Sequence, residues 1–265
     1  MAERSNATVL KTVDLHGSGG SNPSLSAKKQ MTNTSAIFVQ GVFSQPNNSQ
    51  LTKAVENRHY SYSISKRTID IIFSLFICVV ILSWLLPILA ILIKLDSKGP
   101  VFFRQKRTGF KGKTFECFKL RTMKVNCKSD DLQASLNDPR ITKIGTFLRL
   151  SNLDELPQFI NVLIGNMSIV GPRPHMLKDS NQFVFIFPSY YNRYLVKPGI
   201  SGLAQINGFR GPTPNTRSIY KRLQWDLYYV EHANLGMDIR IILLTGLETL
   251  REALKIKIHK KLPKN

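Results

Sequence analysis

Two adjacent carboxylates, Asp154 and Glu155, and an arginine framed by prolines, Arg173 in Gly171-Pro172-Arg173-Pro174, have the types and spacing that best suit chemistry. The residues around the acidic pair predict a helix that begins there. Ser151 or Asn152 supplies an N-cap, Asn152 and Glu155 stand at capping-box spacing, and Pro157 falls in or just after the first turn. Leu156, Phe159, Ile160 and Leu163 then recur at helical spacing and bury one face. At roughly 3.6 residues per turn, neighbouring side chains diverge by about 100°, so the two carboxylates cannot form a facing pair. Two separate jobs follow. Acids in a first turn are also ordinary complements to the helix dipole, and such an N-terminus would hold Asp154 ionised. A helix N-terminus favours anions, and the two prolines fix Arg173 in extended backbone, where its guanidinium suits bidentate phosphate contact.

The elements that must position these groups lie on both sides. Residues 101–105 and 114–120 read as strands joined through the Gly109–Gly112 turn, a hairpin on which Lys119 and Arg121 alternate off the apolar face. Such cations are either a solvated surface or phosphate contacts. Arg149 precedes Asp154 by five residues and on its own reads as a solvated helix arginine. Downstream, Lys197-Pro198-Gly199-Ile200-Ser201-Gly202 places Pro-Gly as a type II turn requires, and Gln205, Asn207, Gly208, Arg210 and Gly211 follow. From Met237 to about Leu254 the apolar residues give an amphipathic helix, too interrupted by charge to span a bilayer, that lies on a membrane or packs on the core.

Ile69 to Ile93 is apolar almost throughout, long enough for a transmembrane helix, since about 20 apolar residues suffice. Lys66 and Arg67 precede it, and Lys94, Lys98, Arg104, Lys106 and Arg107 follow it. Positive charge at both ends argues that both face the cytoplasm. A straight span fails that condition. A re-entrant helix that enters one leaflet, bends and leaves meets it, and Ser83 and Pro87 mark the place for the bend.

The totals agree with an anionic setting. The chain has 265 residues, 43% of them hydrophobic, and a net charge of +20, so a polyanionic partner, a phosphorylated substrate or an acidic lipid surface fits. Its three cysteines form no metal spacing or even framework, which points to a reducing compartment. Residues 1–58, rich in Ser, Asn, Thr and Gln, read as a disordered polar tail. Residues 59–98 form the membrane helix and its flanks, residues 99–255 a globular domain, and residues 256–265 a basic tail drawn to an anionic leaflet.

LDELPQFINVL followed by NMSIVGPRP resembles the bacterial sugar transferase family, the monotopic polyprenyl-phosphate phosphoglycosyl transferases. GPVFFRQKR, FKLRTM, NDPRITKIGTFLR and the stretch from Pro198 to Gly208 resemble the family in order, with Leu203 in place of the usual tryptophan. Trp225-Asp226-Leu227-Tyr228-Tyr229 is similar to the family's aspartate-containing aromatic stretch. The family's re-entrant helix usually breaks at Ser-Pro; here Trp84 follows Ser83 and proline comes at Pro87.

The resemblance implies a helix-rich α/β fold: a re-entrant membrane helix, a small β-hairpin and interfacial amphipathic helices around a site at the cytoplasmic face of the bacterial inner membrane. It makes residues 99–255 the catalytic domain and implies transfer of a sugar phosphate from a nucleotide-sugar donor, commonly a UDP-sugar, to a polyprenyl (undecaprenyl) phosphate acceptor. Asp154 would be the nucleophile that forms an aspartyl-phosphosugar intermediate, and Glu155 the ligand of Mg2+. Arg149 and Arg173, then Lys119 and Arg121, would position phosphates, with Gln205 and Arg210 lining the donor or acceptor side. Two rivals are a membrane-anchored scaffold with this fold and a basic nucleic-acid binder. Intact Asp154, Glu155 and Arg173 oppose the first; the second lacks any nucleic-acid motif.

Overall fold

The computed structural model describes residue 55 and residues 60–125, 138–211 and 215–259. Apart from residue 55, the tail expected to be disordered lies outside these residues, as do residues 260–265 of the basic tail.

The apolar segment forms helix α1 (Tyr60–Phe76), a π-helical turn (Ile77–Leu82) and helix α2 (Ser83–Asp96). It is long and apolar enough to cross a membrane, and only 22% of its most apolar stretch is buried against the protein, unlike a core helix. The departure from α geometry is confined to residues 77–82, one turn before Pro87. There Ser83 Oγ donates to the Val79 carbonyl and Trp84 Nε1 to that of Val80. These bonds serve carbonyls where the regular ladder is interrupted.

Both ends of this segment dock on the globular part. From α1, Arg67 donates to the carbonyls of Val162 and Leu163 at 2.6 and 2.9 Å, and the Asp70 carboxylate accepts the Ile169 N–H at 3.0 Å. From α2, Leu89 and Ile93 pack with Leu120 and Leu148, and Asp96 accepts the Ile144 N–H at 2.8 Å.

The expected hairpin is present: β1 (Phe102–Thr108) pairs antiparallel with β2 (Thr114–Leu120). Helix α3 (Lys143–Leu150) follows, its first turn capped by Thr142, whose hydroxyl accepts the Gly145 N–H. A 3-10 turn (Leu153–Glu155) leads into helix α4 (Gln158–Ile164). Strand β3 (Ser168–Val170) then precedes helix α5 (Leu177–Ile186), a 3-10 stretch (Pro188–Leu195) and β4 (Gly199–Ser201). The chain closes with short α6 (Leu203–Ile206), α7 (Thr216–His232) and α8 (Leu235–His259). The core gathers Phe115, Cys117, Val162, Met167, Val170, Tyr229, Ala233 and Ile241 between the hairpin, α4 and the last two helices.

Three local expectations are corrected. No α-helix begins at the acidic pair, because Asn152 takes a left-handed φ of 58° and the next turns close with i to i+3 bonds. Pro157, lacking an N–H, caps α4 instead of continuing a helix through it. Nor is Pro198-Gly199 a type II turn, since Gly199 has no positive φ. It opens β4, which pairs parallel with β3, and a Cβ there would stand 2.1 Å from the Gly171 nitrogen. The glycine is required by close approach of two backbones. Finally, the amphipathic helix runs from Leu235 to His259, longer than its apolar pattern suggested.

Candidate active site

The acidic pair sits on its 3-10 turn between α3 and α4, and consecutive side chains still diverge there, at three residues per turn. Asp154 lines a cavity of about 360 Å3, whereas Glu155 turns into a cluster of cations. Lys119 Nζ meets Glu155 Oε1 at 2.7 Å, and Arg173 grips both carboxylate oxygens, with Nη1 donating to Oε2 at 3.1 Å. Arg210 Nη2 stands 3.9 Å from Oε2. Bidentate pairing of this kind is the strong form of the interaction.

The hairpin register delivers Lys119. Asn161, fully buried on α4, accepts the Phe118 N–H through Oδ1 at 2.9 Å and donates through Nδ2 to the Glu116 carbonyl. The strand is thereby pinned to the helix that follows the acidic pair. Arg149, near the end of α3, donates from Nε to Thr122 Oγ1 at 2.9 Å and also lines the cavity.

The two carboxyls are electrostatically opposite. Burial pushes Asp154 above the ordinary aspartate value, with Lys119, Arg149 and Arg173 pulling the other way and Glu155 adding to the rise. Contrary to the sequence expectation, no α-helix N-terminus stands at Asp154 to favour its charged form, and burial outweighs the nearby cations, so the carboxyl ionises less readily than an ordinary aspartate. Burial also opposes ionisation of Glu155, but Arg173 and Lys119 overcome it and hold its carboxyl well below the usual range.

Of the residues expected at the site, Asp154, Glu155, Arg149, Arg173, Lys119 and Arg210 are brought together. Arg121 borders the same cavity, yet its guanidinium donates to the carbonyls of Lys98, Ser97 and Ile93 and so closes the C-terminus of α2. Gln205 is not among the cavity residues; it is buried in α6 and donates to the Ile200 carbonyl at 3.3 Å.

Sequence reasoning missed Arg107, His175 and Arg222, which line a further part of the cavity. Arg107 and His175 had a signal, standing in or beside motifs already singled out; Arg222 is one arginine on an ordinary amphipathic helix. His175 is buried among guanidiniums: Arg222 Nη1 lies 3.1 Å from Nε2, and Arg193 Nη1 3.2 Å from Nδ1, which also meets the Tyr190 hydroxyl. Arginine only donates and a neutral imidazole has one acceptor nitrogen, so the ring accepts from one of these two arginines and carries its proton on the other nitrogen. Burial, then Arg193 and Arg222, hold the His175 pKa well below the ordinary value and keep the ring neutral. Arg193 is itself paired with Asp226 at 2.8 Å, both 2% exposed, and donates to the Arg173 carbonyl at 2.8 Å.

Among the described residues no cluster of three or more metal-ligating side chains occurs. Mg2+ is usually held by one or two carboxylates, with substrate phosphates and water completing the shell. Glu155 can serve as one such carboxylate. Glu155 Oε1 is taken by Lys119 and Arg173, while Oε2 accepts one hydrogen bond and keeps a lone pair.

Comparison with known proteins bears on this arrangement. The family model described as bacterial sugar transferase matches residues 61–252. The chain is 51% identical over 167 residues to the UDP-glucose:undecaprenyl-phosphate glucose-1-phosphate transferase of Xanthomonas campestris pv. campestris, covering 61% of this chain and 34% of that protein. It is 48% identical over 182 residues to the protein of the same name from Escherichia coli (strain K12), covering 68% and 39% respectively. With the exopolysaccharide production protein PSS of Rhizobium leguminosarum bv. phaseoli it shares 44% identity over 192 residues, 71% of this chain and 96% of that one. The chain thus spans little more than a third of the first two relatives and nearly all of the third. The matched region carries the acidic pair, the cations gathered around it and the apolar helix beneath them, and this chain belongs to the bacterial sugar transferase family.

Proposed function

We propose that this chain transfers a sugar 1-phosphate from a nucleotide-diphosphate sugar, a UDP-sugar by analogy with the names of its relatives, to polyprenyl (undecaprenyl) phosphate. The products are polyprenyl-diphosphate-sugar and a nucleoside monophosphate. The observation that carries this reading is the division of labour at the acidic pair: a buried carboxylate open to a cation-lined cavity, beside one locked into ion pairs.

The chemistry proceeds by two displacements at one phosphorus. An Asp154 carboxylate oxygen attacks the β-phosphorus of the donor; the bond from that phosphorus to the bridging oxygen breaks, and the nucleoside monophosphate leaves with the electron pair. An oxygen of the lipid phosphate then attacks the same phosphorus and returns the Asp154 carboxylate. Glu155 holds Lys119 and Arg173 in register, so positive charge is fixed before the substrates arrive and needs no reorganisation as charge develops. Arg149 and Arg210 complete the electrostatic lining. Mg2+, held by Glu155 together with donor phosphates and water, would neutralise phosphate charge when bound.

We further infer that α1 and α2 dip into the inner leaflet and return, with the active site facing the cytoplasm. Asp70 and Asp96 would lie about 39 Å apart along a straight helix, yet both anchor to the same globular part, at β3 and at the start of α3. Apolar side chains left exposed on α3 (Phe147, Leu150) and α8 (Leu243, Leu247, Leu250) give further surface for the headgroup region.

The test is turnover by the detergent-purified chain with Mg2+, undecaprenyl phosphate and a panel of UDP-sugars. Lipid-linked diphosphate sugar together with UMP from wild type, and neither from Asp154→Asn, is expected. A folded wild type that makes no product from any donor contradicts the reading.

A further inference from the structure

The four guanidiniums nearest His175 are not equally provided for. Arg173 has Glu155 and Arg193 has Asp226. Arg107 and Arg222 form no salt bridge among the described residues. Arg107 donates to the Pro174 carbonyl at 3.2 Å and to Gln105 Oε1, and Arg222 donates to the Gly211 oxygen, with its Nη1 3.1 Å from Nε2 of neutral His175. In each the Nε is buried with no hydrogen-bond partner. Arg222 is only 7% exposed, and Asp226, one turn along α7, is committed to Arg193. Burying a charge without a counter-charge is costly, and both side chains line the cavity that Asp154 enters.

We propose that the part of the cavity between Arg107 and Arg222 is a phosphate-ester subsite, whose ligand supplies the missing negative charge. Resting on the reaction proposed above, the occupant it fits first is the α-phosphate of the nucleotide donor. That group gains a full negative charge as its bond to the β-phosphorus breaks, so two fixed guanidiniums there favour departure of the monophosphate. The same chemistry would hold the phosphate of the lipid acceptor, and the two sources separate kinetically.

The experiment measures KM for UDP-sugar, KM for undecaprenyl phosphate, and the rise in Tm given by UMP, in wild type, Arg222→Gln and Arg107→Gln. Loss of one charge-assisted contact is expected to raise the donor KM by about 10- to 100-fold and to remove most of the UMP-induced rise in Tm. The acceptor KM should then move by less than about twofold. A rise in the acceptor KM with the UMP response intact supports the subsite and assigns it to the lipid phosphate. Should Arg222→Gln fail to fold, Arg222→Lys keeps the charge, loses the fork and is read through the same constants. If wild type turns over and every folded variant keeps both KM values and the UMP response within about twofold, the subsite is overturned while the reaction stands. If wild type turns over no donor, the reaction itself falls first.

Discussion

Asp154 and Glu155 are neighbours in sequence, 8% and 7% exposed, and their carboxyls are displaced in opposite directions. Lys119 and Arg173 both bond Glu155 and reach Asp154 only through space, so one carboxylate organises the cations and the other is left open to the cavity.

The pH dependence of Asp154 follows from this. A carboxyl whose folded pKa is raised adds stability at low pH, and that stability is lost as pH rises from the unfolded value through the folded one. At neutral pH ionised Asp154 therefore opposes folding. Asp154→Asn should raise stability by about 1 kcal/mol while abolishing turnover. Thermal unfolding in detergent at pH 7.5 checks the first half, where a lower Tm than wild type would count against it. The rate of nucleoside monophosphate release in a single turnover should fall on the acid side, with an apparent pKa above 3.8.

Glu155 has the reverse sign. Its lowered pKa gives stability that is present above the unfolded value and lost as pH falls through the folded one. Glu155→Gln leaves Arg173 and Lys119 partly buried without their counter-ion, at a cost of about 3 kcal/mol at neutral pH. Unfolding curves of wild type and variant should converge as pH is lowered. A gap independent of pH would show that shape, not charge, was lost.

The Arg193–Asp226 pair supports the Arg173 backbone from behind. Asp226→Asn alone should destabilise by about 3–5 kcal/mol, because it strands a buried guanidinium. The double variant Arg193→Met, Asp226→Leu should be less destabilised than the single one and should still lose activity through a displaced Arg173. Recovery of full turnover in the double variant would refute the positioning role.

Gly145 lies inside α3, where alanine is ordinarily better by about 1 kcal/mol. Here a Cβ would stand 1.9 Å from the Thr122 carbonyl oxygen, and Thr122 also holds Arg149. Gly145→Ala should therefore lower Tm and reduce kcat by displacing Arg149. A variant of equal or higher Tm would mean that α3 moves freely against that segment.

Much of this was legible in the chain. The hairpin, the long apolar helix and the acidic pair with its flanking arginines follow from strand alternation, hydrophobic length and local motif. The start of α4 was misplaced because a left-handed Asn152 leaves no strong mark in composition. The pairing of Glu155 with Arg173, 18 residues on, and with Lys119, 36 residues back, is tertiary, so local spacing had suggested phosphate roles for cations that the fold first gives to a carboxylate. Arg121 shows the same ambiguity: a strand-end cation looks alike whether it meets phosphate or caps a helix. The parallel β3–β4 pair, three residues each, was too short to register as periodicity.

The central claim is that Asp154 becomes covalently phosphoglycosylated. Intact-protein mass spectrometry of the purified chain, mixed with Mg2+ and a UDP-sugar panel without lipid acceptor, tests it directly. A mass gain of one phosphosugar, absent in Asp154→Asn and discharged by undecaprenyl phosphate, is the predicted result. Product formation with the full mixture, but no adduct under any donor and UMP release only after the lipid is added, would mean direct transfer and would contradict the account.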